Sequence, residues 1–232
     1  NLIKHDKRYS TEQHLMNCIK SGNPKCGMGE VGPGKDTEGS NWIIHVVDKP
    51  DPRPVWIIVW GAPTDLAQAL WRVSIERSPV EATKFRSKIR VYAIGDQYDE
   101  SGPWIRNNHP DLFYITSYRA MRGMYRGGDL SLTSPEWLKT HICCEHGPLG
   151  EAYPIYDGGD IFSRRLGKVR GVKEGDTPSF LYLIPNGLSD PMKPTWGCWG
   201  GRFTGSGTRF FDAMDTYEGK TNELATVYRW RA

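Results

Sequence analysis

The feature that most constrains the fold is the apolar run VWIIVW at residues 55–60, which Gly61 joins directly to a helical pattern. Six apolar residues, mostly β-branched or aromatic, predict a strand covered on both faces, as in parallel α/β sheets. The spacing that follows predicts a helix over 64–77. Because ligands in open α/β sheets bind beyond the carboxyl ends of strands, we expect a site near the Trp60–Gly61 corner. The same pattern is typical of any strand-turn-helix unit, so alone it predicts a fold and not an activity.

Two further apolar runs, at 89–94 and 112–116, also predict strands and alternate with helical patterns. Strands separated by helices predict a three-layer α/β fold of Rossmann-like type, with a mostly parallel sheet and right-handed crossovers. The Gly-rich segment 200–207 is predicted to be a loop. Further helices are expected over 10–20, 41–47, near 103–106, over 179–184 and from 221 to 231.

The length of 232 residues predicts a single α/β domain over 1–232. The chain begins with polar residues and without a signal peptide, so we expect a processed chain or a fragment of a longer protein. A formal net charge of +3 with scattered Lys and Arg argues against nucleic acid and anionic membranes as partners. No apolar run approaches the ~20 residues that span a bilayer. The oligomeric state is left open.

Aromatic residues are abundant, with nine Trp and eleven Tyr among 26 Gly and 16 Pro. Aromatic rings on tight loops suit the flat faces of sugars, so the composition favours a carbohydrate ligand. Packing in the core or at its rim is the alternative at each position. The candidate sugar platforms are Trp60, Trp104, Trp196 and Trp199.

The five cysteines contain no CxxC pair and no spacing with His that is typical of zinc sites. Cys18 could pair with Cys26, and Cys198 with Cys143 or Cys144; five unpaired thiols are the alternative. Disulfides would suit an oxidising compartment, so a secreted or extracytoplasmic location is expected.

Acidic and amide side chains recur just after predicted strands and loops. Grouped at one edge of the sheet, such groups could hold a hard cation or act as acid and base on a glycosidic bond. Ordinary turn formation is the alternative for each, and Asp176 could equally be a helix N-cap. His146 is a candidate proton donor or a solvated loop histidine. The candidate catalytic residues are Asp96, Asp99, His146 and Asp176, and the candidate substrate-binding residues are Asp36, Glu38, Gln97, Trp104, Glu174, Trp196 and Trp199.

Motifs of several enzyme classes are missing from the sequence. It has no GxSxG elbow, no Walker loop and no GxGxxG that opens a helix after a strand. These absences argue against serine hydrolases, P-loop proteins and dinucleotide-binding enzymes.

Five segments together resemble the nucleoside hydrolase-like proteins typified by a bacterial cellulose-binding protein. They are GKDTEGS at 34–40, SGPWI at 101–105, HPDLFY at 109–114, HGPL at 146–149 and EGDTPSFLYLIPNG at 174–187. The resemblance implies the nucleoside hydrolase-like fold. It also implies an earlier Asp-rich strand and a continuation beyond Trp230, so the chain is expected to be truncated at both ends.

More distantly, WGAPTDLA at 60–67 and GDTPSFLYLI at 175–184 are similar to segments of calcium-dependent nucleoside hydrolases. The resemblance implies that the Trp60 carbonyl and Asp176 bind calcium. It also implies that Asp96, Gln97 and Asp99 lie where those enzymes contact the ribose. Those enzymes carry a His that helps to protonate the leaving base, and Gly175 stands in its place. Because glycine cannot donate a side-chain proton, departure of the base loses this assistance.

Two functions are therefore expected as alternatives. The first is a calcium-assisted hydrolase of an N- or O-glycosidic bond in a glycan or riboside. In it, Asp176, the Trp60 carbonyl and aspartates of the expected earlier strand hold the ion, and a bound water attacks the anomeric carbon. The second is a non-catalytic cellulose- or carbohydrate-binding protein that kept the fold and lost the leaving-group acid.

Overall fold

The computed structural model describes residues 2–97, 100–118, 130–158, 170–172 and 175–213. These residues cluster into two compact units. The sheet unit contains 20–97, 100–118 and 176–213, and the helical unit contains 2–19, 130–158, 170–172 and Gly175. The predicted single domain over 1–232 stays a prediction.

In chain order, the helices of the described residues are α1 (Leu2–His5), α2 (Glu12–Cys18), α3 (Glu38–Asp48), α4 (Thr64–Glu76), α5 (Pro79–Ser87), α6 (Ser101–Asn108), α7 (Pro135–Leu138), α8 (Gly147–Glu151) and α9 (Thr177–Leu181). The strands are β1 (Val55–Val59), β2 (Ile89–Ile94), β3 (Phe113–Ser117), β4 (Phe203–Ser206) and β5 (Arg209–Asp212). Short 3-10 turns lie at Met28–Glu30, Leu130–Thr133 and Pro194–Trp196, and a π-helical turn at Lys139–Cys143.

The strands of the sheet unit form a five-stranded sheet within the described residues, in the order β1-β2-β3-β5-β4. β1, β2, β3 and β5 run parallel, and only β4 is antiparallel to its neighbour. The predicted strands at 55–60, 89–94 and 112–116 are confirmed to within one residue. The mixed α/β fold with a mostly parallel sheet is confirmed as well.

The two faces of the sheet are covered by different kinds of side chain. On one face, alternate residues of β2 such as Val91 and Ala93 pack in an aliphatic core with Leu66, Leu70 and other apolar residues of α4. On the other face, Tyr92 contacts Tyr182 and Phe203 in an aromatic cluster. Coverage on both faces explains why β2 and β3 read as apolar runs and not as alternating patterns. β1, which was expected to be covered on both faces, lies at the edge of the described sheet and is mostly half-buried.

Capping side chains set the starts of α3 and α5. α3 begins at Glu38, ahead of the predicted 41, because Thr37 and Ser40 form a reciprocal capping box. α5 was missed, although Ser78, Pro79 and Glu81 are a capping-box signal with Pro in the first turn. α9 spans Thr177–Leu181 and not 179–184.

The prediction of a loop at 200–207 is wrong, because residues Phe203–Ser206 form β4 and pair with β5. β5 in turn pairs in parallel with β3, a partner about 95 residues earlier in the chain. Gly207 turns the hairpin with a φ of 63°, a conformation that glycine adopts without strain. Long-range pairing therefore overrides the local signal of a Gly-rich segment. The helix expected at 221–231 lies outside the described residues.

The helical unit contains short helices and turns. Ser134 caps α7 by accepting from the Trp137 N–H at 3.1 Å. Tyr156 and Gly171 form an isolated antiparallel bridge. Gly171 has a φ of 90°, and a Cβ there would overlap the Thr133 carbonyl, so only glycine suits this close approach.

The cysteines form no disulfide in the part of the chain that the structure describes, which includes all five. Cys18, Cys26 and Cys144 are exposed, and the buried Cys198 thiol lies 3.3 Å from the Gly201 carbonyl. The proposed pairs of Cys18 with Cys26 and of Cys198 with Cys143 or Cys144 are therefore not formed. The secreted location stays a prediction.

His109, at the end of α6, is buried and its ring stands edge-on to Trp104. Within the described residues its Nε2 has no hydrogen-bond partner. Burial, together with the nearby Arg86, lowers the pKa of His109 to about 4. The imidazole is therefore neutral in the folded protein at neutral pH.

We expect His109 to make the protein sensitive to acid. Below pH ~6.5 the unfolded chain binds a proton that the folded chain binds only near pH 4, so the free energy of unfolding falls through this window. The free energy of unfolding should be roughly 2–3 kcal/mol lower at pH 4.5 than at pH 7. Urea unfolding of the wild type and His109→Leu at both pH values measures it. If the free energy of unfolding falls equally in the two proteins between pH 7 and pH 4.5, His109 is not the source of the acid sensitivity. The control is His14→Gln, because His14 is exposed.

Candidate functional site

The corner after β1 is tied to the end of β2 by one side chain. The Gln97 amide Nε2 donates to the Ile94 carbonyl at 2.9 Å and to the Trp60 carbonyl at 3.4 Å. The predicted metal-binding carbonyl of Trp60 and the predicted substrate-binding residue Gln97 are therefore brought together. A parallel sheet explains this, because the carboxyl ends of β1 and β2 lie side by side.

The Trp60 side chain connects this corner to α9. Its indole N–H donates to Ser179 Oγ at 2.7 Å, and the Ser179 hydroxyl donates to the Asp176 carbonyl at 2.6 Å. Asp176 occupies the N-cap position of α9, but its carboxylate accepts no capping bond from that helix. The structure thus links the Asp176 backbone to the Trp60 side chain through Ser179, a residue of the 174–187 motif with no predicted role of its own.

The candidate catalytic residue Asp96 points into the protein. Its carboxylate, 2% exposed, forms an ion pair with Arg106 and accepts from the Tyr114 hydroxyl at 2.6 Å. Burial raises the pKa of Tyr114 well above its usual range, so the phenol remains a donor. Gly102 packs so closely on Asp96 that a Cβ there would overlap the carboxylate. Asp96 therefore holds the turn after β2 in place.

The candidate substrate-binding acids Asp36 and Glu38 bind groups of the protein itself. Asp36 accepts from Gln68 Nε2 at 2.8 Å and pairs with Arg72 at 3.3 Å. Glu38 accepts from the Ser21 N–H at 3.1 Å. Asp36 thus anchors the loop before α3 to α4, and Glu38 anchors the start of α3 to the loop at Ser21. The substrate-binding roles of both residues stay predictions.

The candidate tryptophans fall into two groups. Trp104 is half-buried and packs against the aliphatic core, as the packing alternative predicted. Trp60, Trp196 and Trp199 keep 52%, 57% and 40% of their surface exposed. These exposures leave ring faces that a ligand can contact.

The loop that carries Trp196 and Trp199 reaches α9 at Gly200. The Gly200 carbonyl accepts from the Tyr92 hydroxyl at 2.9 Å, and a Cβ at Gly200 would overlap the Pro178 carbonyl. Trp199, next to Gly200 in the chain, therefore lies close to α9. Trp60 lies close to the same helix because its indole binds Ser179. The name α9 aromatic surface is used for the exposed rings on α9, bonded to it through Ser179, or on the loop that reaches it at Gly200: Trp60, Phe180, Trp196 and Trp199.

The remaining candidates lie elsewhere or outside the described residues. His146 is exposed, in the helical unit, at the N-cap position of α8. Asp99 and Glu174 lie outside the described residues. The roles predicted for His146, Asp99 and Glu174 stay predictions.

A calcium ion fits poorly with the residues at this corner. Calcium takes six to eight oxygen ligands. The Trp60 carbonyl already accepts an amide N–H from Gln97. No group of three or more His, Cys, Asp or Glu in the described ranges could hold a metal.

Residues 1–203 match the family described as cellulose-binding Sde182, nucleoside hydrolase-like domain. The chain belongs to this family. Its helices, as far as the structure describes them, include none long and apolar enough to cross a membrane.

A solved structure of a nucleoside hydrolase-related hypothetical protein from Saccharophagus degradans, associated with carbohydrate metabolism, is similar to this chain. The two share 38% identity with a TM-score of 0.69 over 97% of this chain. This chain spans about half of that relative, 48% of its length. No curated protein matches the chain.

Proposed function

We propose that the chain binds a carbohydrate such as cellulose through the α9 aromatic surface. The observation that carries this proposal is Trp60, which is half exposed while its indole N–H is held by Ser179. An indole in a fixed orientation stacks on the C–H face of a sugar with little loss of side-chain entropy. The family description and the relative's association with carbohydrate metabolism support the ligand class.

Calcium-assisted hydrolysis of a glycosidic bond is the second proposal. Its support is the position of Asp176, whose backbone carbonyl is linked to the Trp60 indole through Ser179. The poor fit for calcium, the absence of a side-chain acid at Gly175 and the internal pairing of Asp96 favour binding without catalysis.

Replacement of Trp199 or Trp196 by alanine should weaken binding to soluble cello-oligosaccharides about tenfold, since ~1.4 kcal/mol of ring contact corresponds to this factor. Calorimetry and cellulose pull-down measure the change. Trp42→Ala is the matched control, because Trp42 is an exposed tryptophan on α3 that stacks on His45.

The proposal is supported if carbohydrate binding weakens only in Trp196→Ala and Trp199→Ala and their thermal unfolding changes little. Trp104→Ala should instead lower the melting temperature, because Trp104 packs on the core. Equal weakening by Trp42→Ala, or unchanged binding in the α9 variants, would contradict the α9 aromatic surface as the binding site.

A further inference from the structure

We infer that the side-chain amide of Gln97 takes the place of a cation at the Trp60 carbonyl oxygen, so that this corner does not bind calcium. The inference concerns the same corner as the proposed function. Its test measures ion binding without sugar, so the two can fail separately.

The first argument is the hydrogen-bonding chemistry of the amide. A glutamine amide nitrogen has two N–H donors and its oxygen has none. At this corner two backbone acceptors, the Ile94 and Trp60 carbonyls, face the same nitrogen at 2.9 and 3.4 Å. Turning the amide oxygen toward them would gather three acceptors without a donor, so the nitrogen assignment follows from the contacts.

The second argument is electrostatic. Two carbonyl oxygens that converge are partially negative and can be stabilised by a cation or by N–H groups. The partially positive N–H groups of Gln97 already supply this stabilisation, and they would repel an ion brought to the same oxygen.

The third argument is that the backbone of Gln97 is held where its amide meets these two carbonyls. The preceding residue, Asp96, has a φ of 44° and its carboxylate is locked in the buried pair with Arg106. The Gln97 side chain can rotate, but a shift of its backbone would disturb this pair and leave an uncompensated buried charge.

The test begins with calorimetric titration of Ca²⁺ into the full-length wild-type protein and Asp176→Asn. We expect no saturable binding up to millimolar Ca²⁺. One bound ion whose affinity falls in Asp176→Asn would overturn the inference. An ion bound equally by wild type, Asp176→Asn and Gln97→Ala lies elsewhere, and this result supports the inference.

The complementary variant is Gln97→Glu, which replaces the donor amide by a carboxylate beside the same two carbonyls. The negative carboxylate together with the two carbonyl oxygens should now attract a cation. With Tb³⁺ as the probe and excitation through tryptophan, we expect luminescence at least tenfold above wild type, sensitised by the adjacent Trp60. Gln13→Glu on the exposed face of α2 is the charge-matched control.

If Gln97→Glu folds but its Tb³⁺ luminescence does not rise above that of the wild type, the two carbonyls do not form a position for a cation. This result would overturn the inference. If Gln97→Glu does not fold, the wild-type and Asp176→Asn titrations decide alone.

Discussion

Replacing Arg106 by alanine is expected to lower the free energy of unfolding by about 3–5 kcal/mol, the largest stability change that we predict. The variant leaves the Asp96 carboxylate buried with Tyr114 as its remaining side-chain partner among the described contacts. Asp96 is 2% and Arg106 17% exposed, so water cannot readily replace the lost guanidinium.

Urea unfolding of wild type and Arg106→Ala measures this change. Arg53→Ala is the control, because the Arg53–Asp51 pair is exposed and its loss should leave unfolding unchanged. The double variant Asp96→Ala, Arg106→Ala should lose less than the sum of the single variants, since both charges are then absent. The two residues do not form a coupled buried pair if the losses in free energy of unfolding are additive in the double variant. An Arg106→Ala variant as stable as the wild type would contradict the pair as well.

The second large effect concerns nucleosides. This protein should hydrolyse inosine and uridine roughly 10²–10⁴-fold more slowly than an enzyme whose site supplies a general acid. The reason is that Gly175 has no side chain that could protonate the departing base. The rate is measured with the full-length protein by using chromatography to detect the free base that is released over several hours.

Turnover near 10 s⁻¹, which is typical of enzymes, would contradict this prediction and point to another acid. His146 is the first candidate, since it is exposed and its role is untested. His146→Asn would then abolish the activity, whereas a slow background rate should be the same in both proteins.

Local patterns were sufficient to predict the central strands, because the signal lies within each segment. Residues 89–94 are apolar throughout, and β2 is buried on both faces as this pattern indicates. The parallel direction of β1, β2 and β3 follows from their alternation with helices. The family was also readable from short motifs such as those at 34–40 and 174–187.

The roles of individual polar residues could not be predicted in this way. Asp96 and Gln97 are neighbours after the same strand, yet Asp96 turns inward to Arg106 and Gln97 turns to Trp60. The left-handed backbone at Asp96 separates their directions. No pattern of residue types indicated in which direction each of these two side chains points.

The sequence by itself determined the α/β class, the parallel strands β1, β2 and β3 and the family, because each depends on patterns within short segments of the chain. The tertiary structure decided which tryptophans are exposed, which carboxylate is paired and where β4 and β5 join the sheet. The bond between Trp60 and Ser179 joins residues 119 positions apart. Such contacts depend on the packing of the whole unit, so local spacing alone cannot predict them.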